Sequence, residues 1–158
     1  MQQSTLCFLI EKDRSQILLG RKKRGFAVNK YNGFGGKVDS NETIEEAALR
    51  ELFEETCVVS STENLQKVGK LNFYFPVNKH WNQTVHVFLI EKWQNEPMES
   101  EEMEPKWFNF DDLPFSQMWQ DDLHWLPLVL KGKKVEANFY FNEDNETIKR
   151  FNIKEVTF

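Results

Sequence analysis

Three glutamates stand out in this chain because their spacing would place them on one side of a helix. Glu51, Glu54 and Glu55 occupy positions i, i+3 and i+4 of a segment, 43–56, that is predicted to be helical. Carboxylates packed so closely repel one another unless a cation lies between them. Mg²⁺ takes oxygen ligands and keeps coordination positions for substrate phosphates. The spacing therefore predicts a magnesium site for phosphate-ester chemistry.

The residues that flank these glutamates also stand at fixed distances from them. Gly36 and Glu42 precede the helix and Arg50 comes directly before Glu51, so the segment reads Gly-x5-Glu-x7-Arg-Glu-Leu-x-Glu-Glu-x-Cys-Val. A solvated, glutamate-rich surface helix would account for the glutamates alone, but not for the glycine and the arginine. The pattern resembles the Nudix box, the signature of hydrolases that act on a nucleoside diphosphate linked to another moiety.

This resemblance implies an α/β (α+β) Nudix fold, in which a mixed β-sheet is sandwiched between helices. It implies a cofactor, Mg²⁺ with Mn²⁺ as the alternative, and attack at the α-phosphorus to give the monophosphate and pyrophosphate. Arg50 would brace the carboxylates, and the general base stays open among the three glutamates. For Glu102, in the acidic run 99–102, a solvated loop is the alternative to a metal ligand. The implied ligands are the Gly36 carbonyl, Glu51, Glu54, Glu55 and Glu102.

Cys57 departs from the Nudix pattern, which has glycine at this position. A glycine after a helix commonly adopts the left-handed conformation that ends the helix. Cysteine there affects how the chain leaves the helix, while the metal ligands are unchanged. We therefore expect Cys57→Gly to be tolerated.

Further segments resemble one branch of the family, the MutT-homologue type that hydrolyses oxidised purine nucleoside triphosphates such as 8-oxo-dGTP and 2-hydroxy-dATP. They span 18–20, 22–26, 32–38, 85–88, 107–108 and 118–122, whereas 60–66 and 76–83 match poorly. By position, the resemblance implies that the base contacts Asn32, Trp119, Asp121 and Asp122, with Phe26 on the pocket wall. The other implied substrate-binding positions are Cys7, Lys22, Phe34, Gly35, Gly36, Lys37 and Gln120.

The chemistry of these residue types fits a purine pocket. The indole of Trp119 offers a flat face for stacking. Two adjacent carboxyl groups in a partly dry pocket cannot both ionise cheaply, so Asp121 and Asp122 should together retain one proton near neutral pH. Such a pair can present either a donor or an acceptor to the base. The alternative is an acidic pair at a helix N-terminus, where the helix dipole favours negative charge.

Two positions depart from the branch. Cys7 stands where relatives have a hydroxyl residue that faces the base, and Gln120 stands where they have a proline. A thiol is a weak hydrogen-bond donor, so one polar contact with the base would be weakened. Both departures bear on which base is preferred and not on the reaction.

The elements that must position these residues can also be predicted. Segments 6–11 and 16–21 are expected to form a hairpin, and 65–77, 84–93 and 107–110 to form strands. Ser40 or Asn41 would cap the first helix, whose apolar stripe is Ala47, Ala48, Leu49, Leu52 and Phe53. A second helix would run from Asp121 or Asp122 to Leu130, with Pro127 an awkward member, and 135–141 with 147–156 would form a closing hairpin.

Composition limits the class of protein. The 158 residues are expected to form a single domain, 1–158, and a monomer. The net charge of −5 argues against binding a nucleic-acid polymer and leaves a small nucleotide as the partner. No apolar run approaches the roughly 20 residues of a membrane helix, so no membrane association is expected. Two cysteines without a CxxC motif predict a cytoplasmic protein, with a mitochondrial or nuclear fraction as an alternative.

Two other functions are compatible with parts of the sequence. The chain could hydrolyse another Nudix substrate, such as a nucleotide sugar, a dinucleoside polyphosphate or a methylated purine nucleotide. Asn32, Trp119 and the aspartate pair argue against that interpretation. The chain could instead be a non-catalytic binding module with a Nudix fold. Such a module would be expected to lack glutamates of the box, and all of them are present here.

Overall fold

A mixed β-sheet is the centre of the molecule in the computed structural model, which describes all 158 residues. Its strands pair in the order β3-β2-β1-β5-β4-β7-β8, and β6 pairs with β2. β1 is parallel to β5 and β4 is parallel to β7, whereas the other pairs are antiparallel. The strands are β1 (Gln2–Glu11), β2 (Gln16–Lys22), β3 (Tyr31–Asn32), β4 (Leu65–Tyr74), β5 (Gln83–Ile90), β6 (Met103–Asn109), β7 (Val135–Phe141) and β8 (Ile148–Glu155).

Two helices complete the fold, α1 (Ile44–Thr56) and α2 (Asp122–Leu130), and each covers a separate apolar cluster. Alternate residues of β1 point to the two clusters, because successive side chains of a strand face opposite sides of the sheet. Phe8 packs with Trp125 of α2, whereas Cys7 and Leu9 pack with Leu52 of α1. The predicted architecture, a mixed sheet between helices, is confirmed.

The start of α1 differs from the prediction by two or three residues. The N-cap is Thr43, not Ser40 or Asn41: its side chain accepts a hydrogen bond from the Glu46 N–H, and the Glu46 carboxylate accepts one from the Thr43 N–H. This reciprocal arrangement satisfies two N–H groups that have no partner within the helix. The earlier polar residues lie in the preceding turn instead.

The apolar stripe of α1 is narrower than predicted. Ala47, Ala48 and Leu52 are buried, but Phe53 is 47% exposed because it lies outside the arc that faces the sheet. The helix ends at Cys57, whose backbone is left-handed with φ of 65°. The left-handed conformation that glycine commonly adopts at this position is thus kept, although a cysteine occupies it.

The other elements agree with the predictions to within a few residues. Both predicted hairpins form, and α2 runs to Leu130 with Pro127 inside it. The strand predicted over 65–77 ends at Tyr74, so residues 75–82 form a separate connection that contains a short 3₁₀ turn, Lys79–Trp81. Neither helix has the length and apolar character needed to cross a membrane.

Candidate active site

The glycine-rich segment 33–36 lies directly against β1. The Thr5 N–H donates to the Gly36 carbonyl (2.9 Å), and Cys7 and Phe34 exchange backbone hydrogen bonds. A Cβ atom at Gly35 would overlap the Thr5 carbonyl, and one at Gly36 would lie 2.5 Å from Glu51 Oε1. Glycine is needed at both positions because the segment passes so close to β1 and to α1. This contact brings the backbone of Gly36 beside the glutamates of α1.

The three glutamates of the box have different surroundings. Glu55 is turned inward, and its Oε1 accepts a hydrogen bond from the Gly35 N–H (2.8 Å). Glu51 accepts a hydrogen bond from Arg50 Nη1 at 3.0 Å. Glu54 is largely exposed and lies 3.4 Å from the same guanidinium. Glu51 and Glu55 therefore point inward and Glu54 points outward, although all three belong to the same side of α1.

Arg50 organises the segment before the helix as well as the helix itself. Its guanidinium donates to Glu42 at 2.6 and 3.0 Å and to the Lys37 carbonyl at 3.1 Å. The Arg50 hydrogen bonds lower the pKa of Glu42 to about 2, and a hydrogen bond from the Asp39 N–H adds to this. Arg50 thus ties the entry loop to α1 through Glu42 and the Lys37 carbonyl.

The acid–base properties of Glu55 are strongly perturbed. Burial, and to a smaller extent the negative charge of Glu51, raise its pKa to about 8 against the opposing effect of the Gly35 N–H. Burial also raises the pKa of Glu51, although Arg50 opposes this rise. Each carboxylate disfavours the ionisation of the other, and a bound cation would relieve this repulsion.

The donor set fits a hard divalent cation, although the side chains are not gathered around one point. No three acidic, histidine or cysteine side chains converge closely enough to hold a metal ion together. Glu51 and Glu55 with the Gly36 carbonyl supply oxygen ligands, which such a cation prefers. Glu54 would have to leave Arg50, and Glu102 would have to leave Arg24, which it contacts at 2.8 Å. Both are exposed ion pairs, and such pairs are weak.

A cleft of about 700 Å³ extends from Glu55 across the α2 face of the sheet. Its walls are polar where the glycine segment ends and apolar where the core aromatic residues begin. Most of the substrate-binding residues predicted from the sequence line it together with Glu55. These are Lys22, Phe26, Asn32, Gly35, Gly36, Lys37, Trp119, Asp121 and Asp122.

The aspartate pair lies in the cleft wall at the start of α2. Asp121 is 5% exposed and Asp122 is 2% exposed. Asp121 Oδ2 accepts a hydrogen bond from Trp125 Nε1 (2.9 Å), whereas Asp122 Oδ2 has no partner. Burial raises the pKa of Asp121 to about 6, and burial together with the charge of Asp121 raises the pKa of Asp122 further. The two carboxyl groups therefore retain one proton between them near neutral pH, and the hydrogen bond from Trp125 favours the ionised form of Asp121.

Aromatic rings enclose the mouth of the cleft. The Phe26 ring is 5.3 Å from that of Trp81 and 5.7 Å from that of Trp119, measured between centroids. The ammonium group of Lys30 lies 5.1 Å from the centre of the Trp119 ring, and its positive charge favours ionisation of Asp122. The predicted stacking residue thus has an aromatic neighbour and a cationic one.

The structure places three of the predicted substrate-binding residues outside the cleft. Cys7 is fully buried with Sγ 3.8 Å from the Ala48 carbonyl, so its side chain faces α1 and not the cleft. Phe34 is fully buried in the same cluster. Gln120 is exposed, and its Oε1 accepts a hydrogen bond from the Ile148 N–H (3.0 Å), which ties the loop to β8. Both buried residues lie on the α1 side of the sheet, opposite the cleft.

Other residues that line the cleft were not predicted. Every second residue is apolar at Leu71, Phe73 and Phe75, along β4 and just after it. This period-2 pattern could have predicted that the three side chains lie on the same face of the sheet. Trp81 lies in a segment without periodicity and gave no such signal. Lys30 belongs to none of the motifs in the sequence and gave no signal either.

Comparison with known proteins identifies the family of this chain. Residues 1–129 match the family model of the NUDIX domain. The chain is 44% identical over 152 residues to an oxidized purine nucleoside triphosphate hydrolase of Danio rerio and equally to that of Mus musculus, covering 96% of this chain and 94% of each relative. It is 30% identical to an 8-oxo-dGTP diphosphatase of Escherichia coli, over 67% of this chain and 83% of that protein. The crystal structure of a MutT protein from Bacillus halodurans superposes with a TM-score of 0.82 at 22% identity, covering 97% of both chains.

Proposed function

The chain belongs to the Nudix family, and from this premise we propose that it hydrolyses oxidised purine nucleoside triphosphates to the monophosphate and pyrophosphate. The relatives with 44% identity carry that activity in their names and cover almost the whole chain. The observation that carries the proposal is the aspartate pair, buried and short of one hydrogen-bond partner, in the same cleft as Glu55. A nucleotide that spans the cleft would meet both.

Base recognition is assigned to the end of the cleft that contains the aspartates. Asp122 retains its proton and offers an O–H to an acceptor on the base, while Asp121 is held by Trp125. Transfer of the proton within the pair would present an acceptor instead, so one pocket could bind two oxidised purines with different edges. Trp119 would stack on the base, and Asn32 supplies an amide beside it.

Phosphate chemistry is assigned to the Glu55 end. Nudix hydrolases work with a divalent cation, and we propose Mg²⁺, with Mn²⁺ as the alternative. It would be held by Glu51, Glu55 and the Gly36 carbonyl, with Glu54 and Glu102 as further ligands. When bound it would lower the pKa of water and neutralise developing charge on phosphate. Arg50 holds Glu51 in position, and Lys22 and Lys37 line the cleft where the phosphates would lie.

The remaining assignments rest on composition. We propose that residues 1–158 form a single catalytic domain, which acts as a monomer on a small nucleotide. We also propose that it binds no nucleic-acid polymer, because the chain carries a net charge of −5. A cytoplasmic location, with a mitochondrial or nuclear fraction, belongs to the same proposal. Fractionation and light scattering would test these points directly.

The decisive test is steady-state hydrolysis of 8-oxo-dGTP, 2-hydroxy-dATP, dGTP and ADP-ribose side by side, with Mg²⁺ and with a chelator. One matched buried hydrogen bond contributes about 1–3 kcal/mol, so kcat/KM for an oxidised purine should exceed that for dGTP by about 5- to 150-fold. Preference for ADP-ribose would identify a different Nudix substrate. No metal-dependent turnover of any compound would indicate a binding module.

A further inference from the structure

A chain of aromatic contacts crosses the mouth of the cleft and reaches Trp119. It starts in the core at Phe141, whose ring is stacked on that of Phe75 at 4.7 Å. Phe75 meets Trp81 edge to face at 5.7 Å, and Trp81 meets Phe26 at 5.3 Å. We call the four residues Phe75, Trp81, Phe26 and Trp119 the aromatic bridge. It connects the end of β4 with the loop that precedes α2.

Phe26 is the weakly supported member of the bridge. Its side chain is 64% exposed, and the structure gives its ring two aromatic partners, Trp81 and Trp119. The residues on either side, Gly25 and Ala27, have φ of 79° and 63°. The left-handed conformation is unfavourable for alanine, so the loop requires contacts that offset this cost. The contacts of the Phe26 ring with Trp81 and Trp119 can offset it.

The rest of this loop is fastened only near its two ends. Lys22 donates its N–H to the Lys30 carbonyl (2.9 Å) and accepts one from Asn29 (2.7 Å). Lys23 and Arg24 form ion pairs with the acidic run 99–102. Phe26 lies between these attachment points, so the position of its ring depends on the indoles that flank it.

Trp81 is the member that links Phe26 to the sheet. It is partly buried, lies in the 3₁₀ turn Lys79–Trp81 and touches Phe75, which follows directly after β4. We propose that Trp81 is a positioning residue for base recognition, which acts through Phe26 to hold Trp119 in the orientation that stacks on a purine. This inference rests on the proposed function, because it assumes that Trp119 contacts the base.

The proposal predicts a change in substrate binding without a change in chemistry, since Trp81 is not in the Glu55 part of the site. An aromatic pair contributes about 0.5–1.5 kcal/mol beyond its buried area, so Trp81→Ala should raise KM for an oxidised purine triphosphate by about 2- to 12-fold. The value of kcat should stay within about twofold of the wild type. Trp81→Phe should restore most of the lost affinity because a ring remains against Phe26.

A double-mutant cycle distinguishes this role from simple support of the fold. In a Phe26→Ala background, Trp81→Ala should change KM by less than about twofold, because the path to Trp119 is already broken. Trp93→Phe is the matched control: Trp93 stacks on Trp107 at 6.1 Å and does not line the cleft. It should leave KM unchanged.

The outcomes separate the two proposals. If the wild-type protein hydrolyses no oxidised purine triphosphate, the proposed function fails. If the wild type is active but Trp81→Ala leaves KM unchanged, lowers kcat instead, or raises KM equally in the Phe26→Ala background, Trp81 has no positioning role. Thermal denaturation of each variant identifies any that lowers activity by unfolding, and Trp81→Phe then decides the question in a folded protein.

Discussion

Asp122→Asn is the substitution that tests base recognition most sharply, because Asp122 Oδ2 is a buried carboxylate oxygen without a partner inside the protein. A protonated aspartate can give its proton to Asp121 and change from donor to acceptor, whereas an amide cannot. The variant therefore keeps the size of the side chain but fixes its hydrogen-bonding pattern. Any base that requires the lost pattern should bind less well.

The expected magnitude follows from burial. Asp122 is 2% exposed, so water cannot replace a missing partner, and a buried unmatched group costs about 1–3 kcal/mol. This corresponds to a loss of about 5- to 150-fold in kcat/KM for one substrate. The two oxidised purines differ at position 6, where 8-oxoguanine has a carbonyl acceptor and 2-hydroxyadenine has an amino donor. The loss should therefore differ between them, and dGTP, which has the same carbonyl at position 6 as 8-oxoguanine, should follow 8-oxo-dGTP.

The assay is steady-state hydrolysis of 8-oxo-dGTP, 2-hydroxy-dATP and dGTP by the wild type, Asp122→Asn and Asp121→Asn. Asp121→Asn retains a carbonyl oxygen that can accept from Trp125 Nε1, so it tests the loss of charge with that hydrogen bond preserved. It should also damage binding of an oxidised base, because the pair can no longer transfer a proton. Equal losses on every nucleotide, or no loss on any, would mean that the pair only starts a helix and that the base binds elsewhere.

Three further predictions concern other parts of the molecule. Glu55→Gln should abolish metal-dependent turnover but preserve the fold, since the amide oxygen can still accept from Gly35 and an amide binds Mg²⁺ poorly; a kcat above half that of the wild type at saturating Mg²⁺ would remove Glu55 from the site. Cys57→Gly should be neutral or stabilising by at most about 1 kcal/mol, because Cys57 is exposed with φ of 65°, and a clear fall in melting temperature would contradict this. Burial and the charge of Lys67 lower the pKa of His86 to about 4 from 6.5, so the unfolded chain takes up a proton before the folded one does as pH falls through this interval. The contribution of His86 to stability should thus decrease by about 1–3 kcal/mol from pH 6.5 to pH 4, whereas the buried carboxyl groups with raised pKa act in the opposite sense. In urea denaturation, the free energy of unfolding of the wild type should therefore fall relative to that of His86→Gln over this interval, and parallel curves would be the contrary result.

The end of the cleft where we propose metal binding was predictable from the sequence because its residues are close together along the chain. Helical spacing fixes where Glu51 and Glu55 lie relative to each other. The position of Arg50 beside Glu51 follows from the same spacing. The helix cap was predicted at the wrong residue, since several polar residues precede α1 and only Thr43 has Glu46 three positions later in the capping arrangement. Local spacing therefore predicted the positions of the motif residues well, but it predicted the start of α1 less well.

The end of the cleft where we propose base binding was only partly predictable, because it is built by contacts between distant segments. The alternation of β1 shows that Cys7 and Phe8 face opposite sides of the sheet. Both sides are covered by a helix, so hydrophobicity does not indicate which side holds the cleft. Trp81 reaches the cleft from an irregular connection, and nothing in local periodicity predicts its contact with Phe26.

The close packing of the glycine-rich segment 33–36 on β1 limits which substitutions this protein can tolerate. Substitutions at Gly35 or Gly36 would collide with the Thr5 carbonyl or the Glu51 carboxylate, so variation is blocked where the phosphate chemistry is proposed to occur. Segments 23–30 and 76–82 also reach the cleft, but they attach to this rigid frame mainly at their ends. Libraries randomised in these two segments should therefore yield altered base preference with hydrolysis intact, whereas libraries in 33–36 should yield mostly inactive protein.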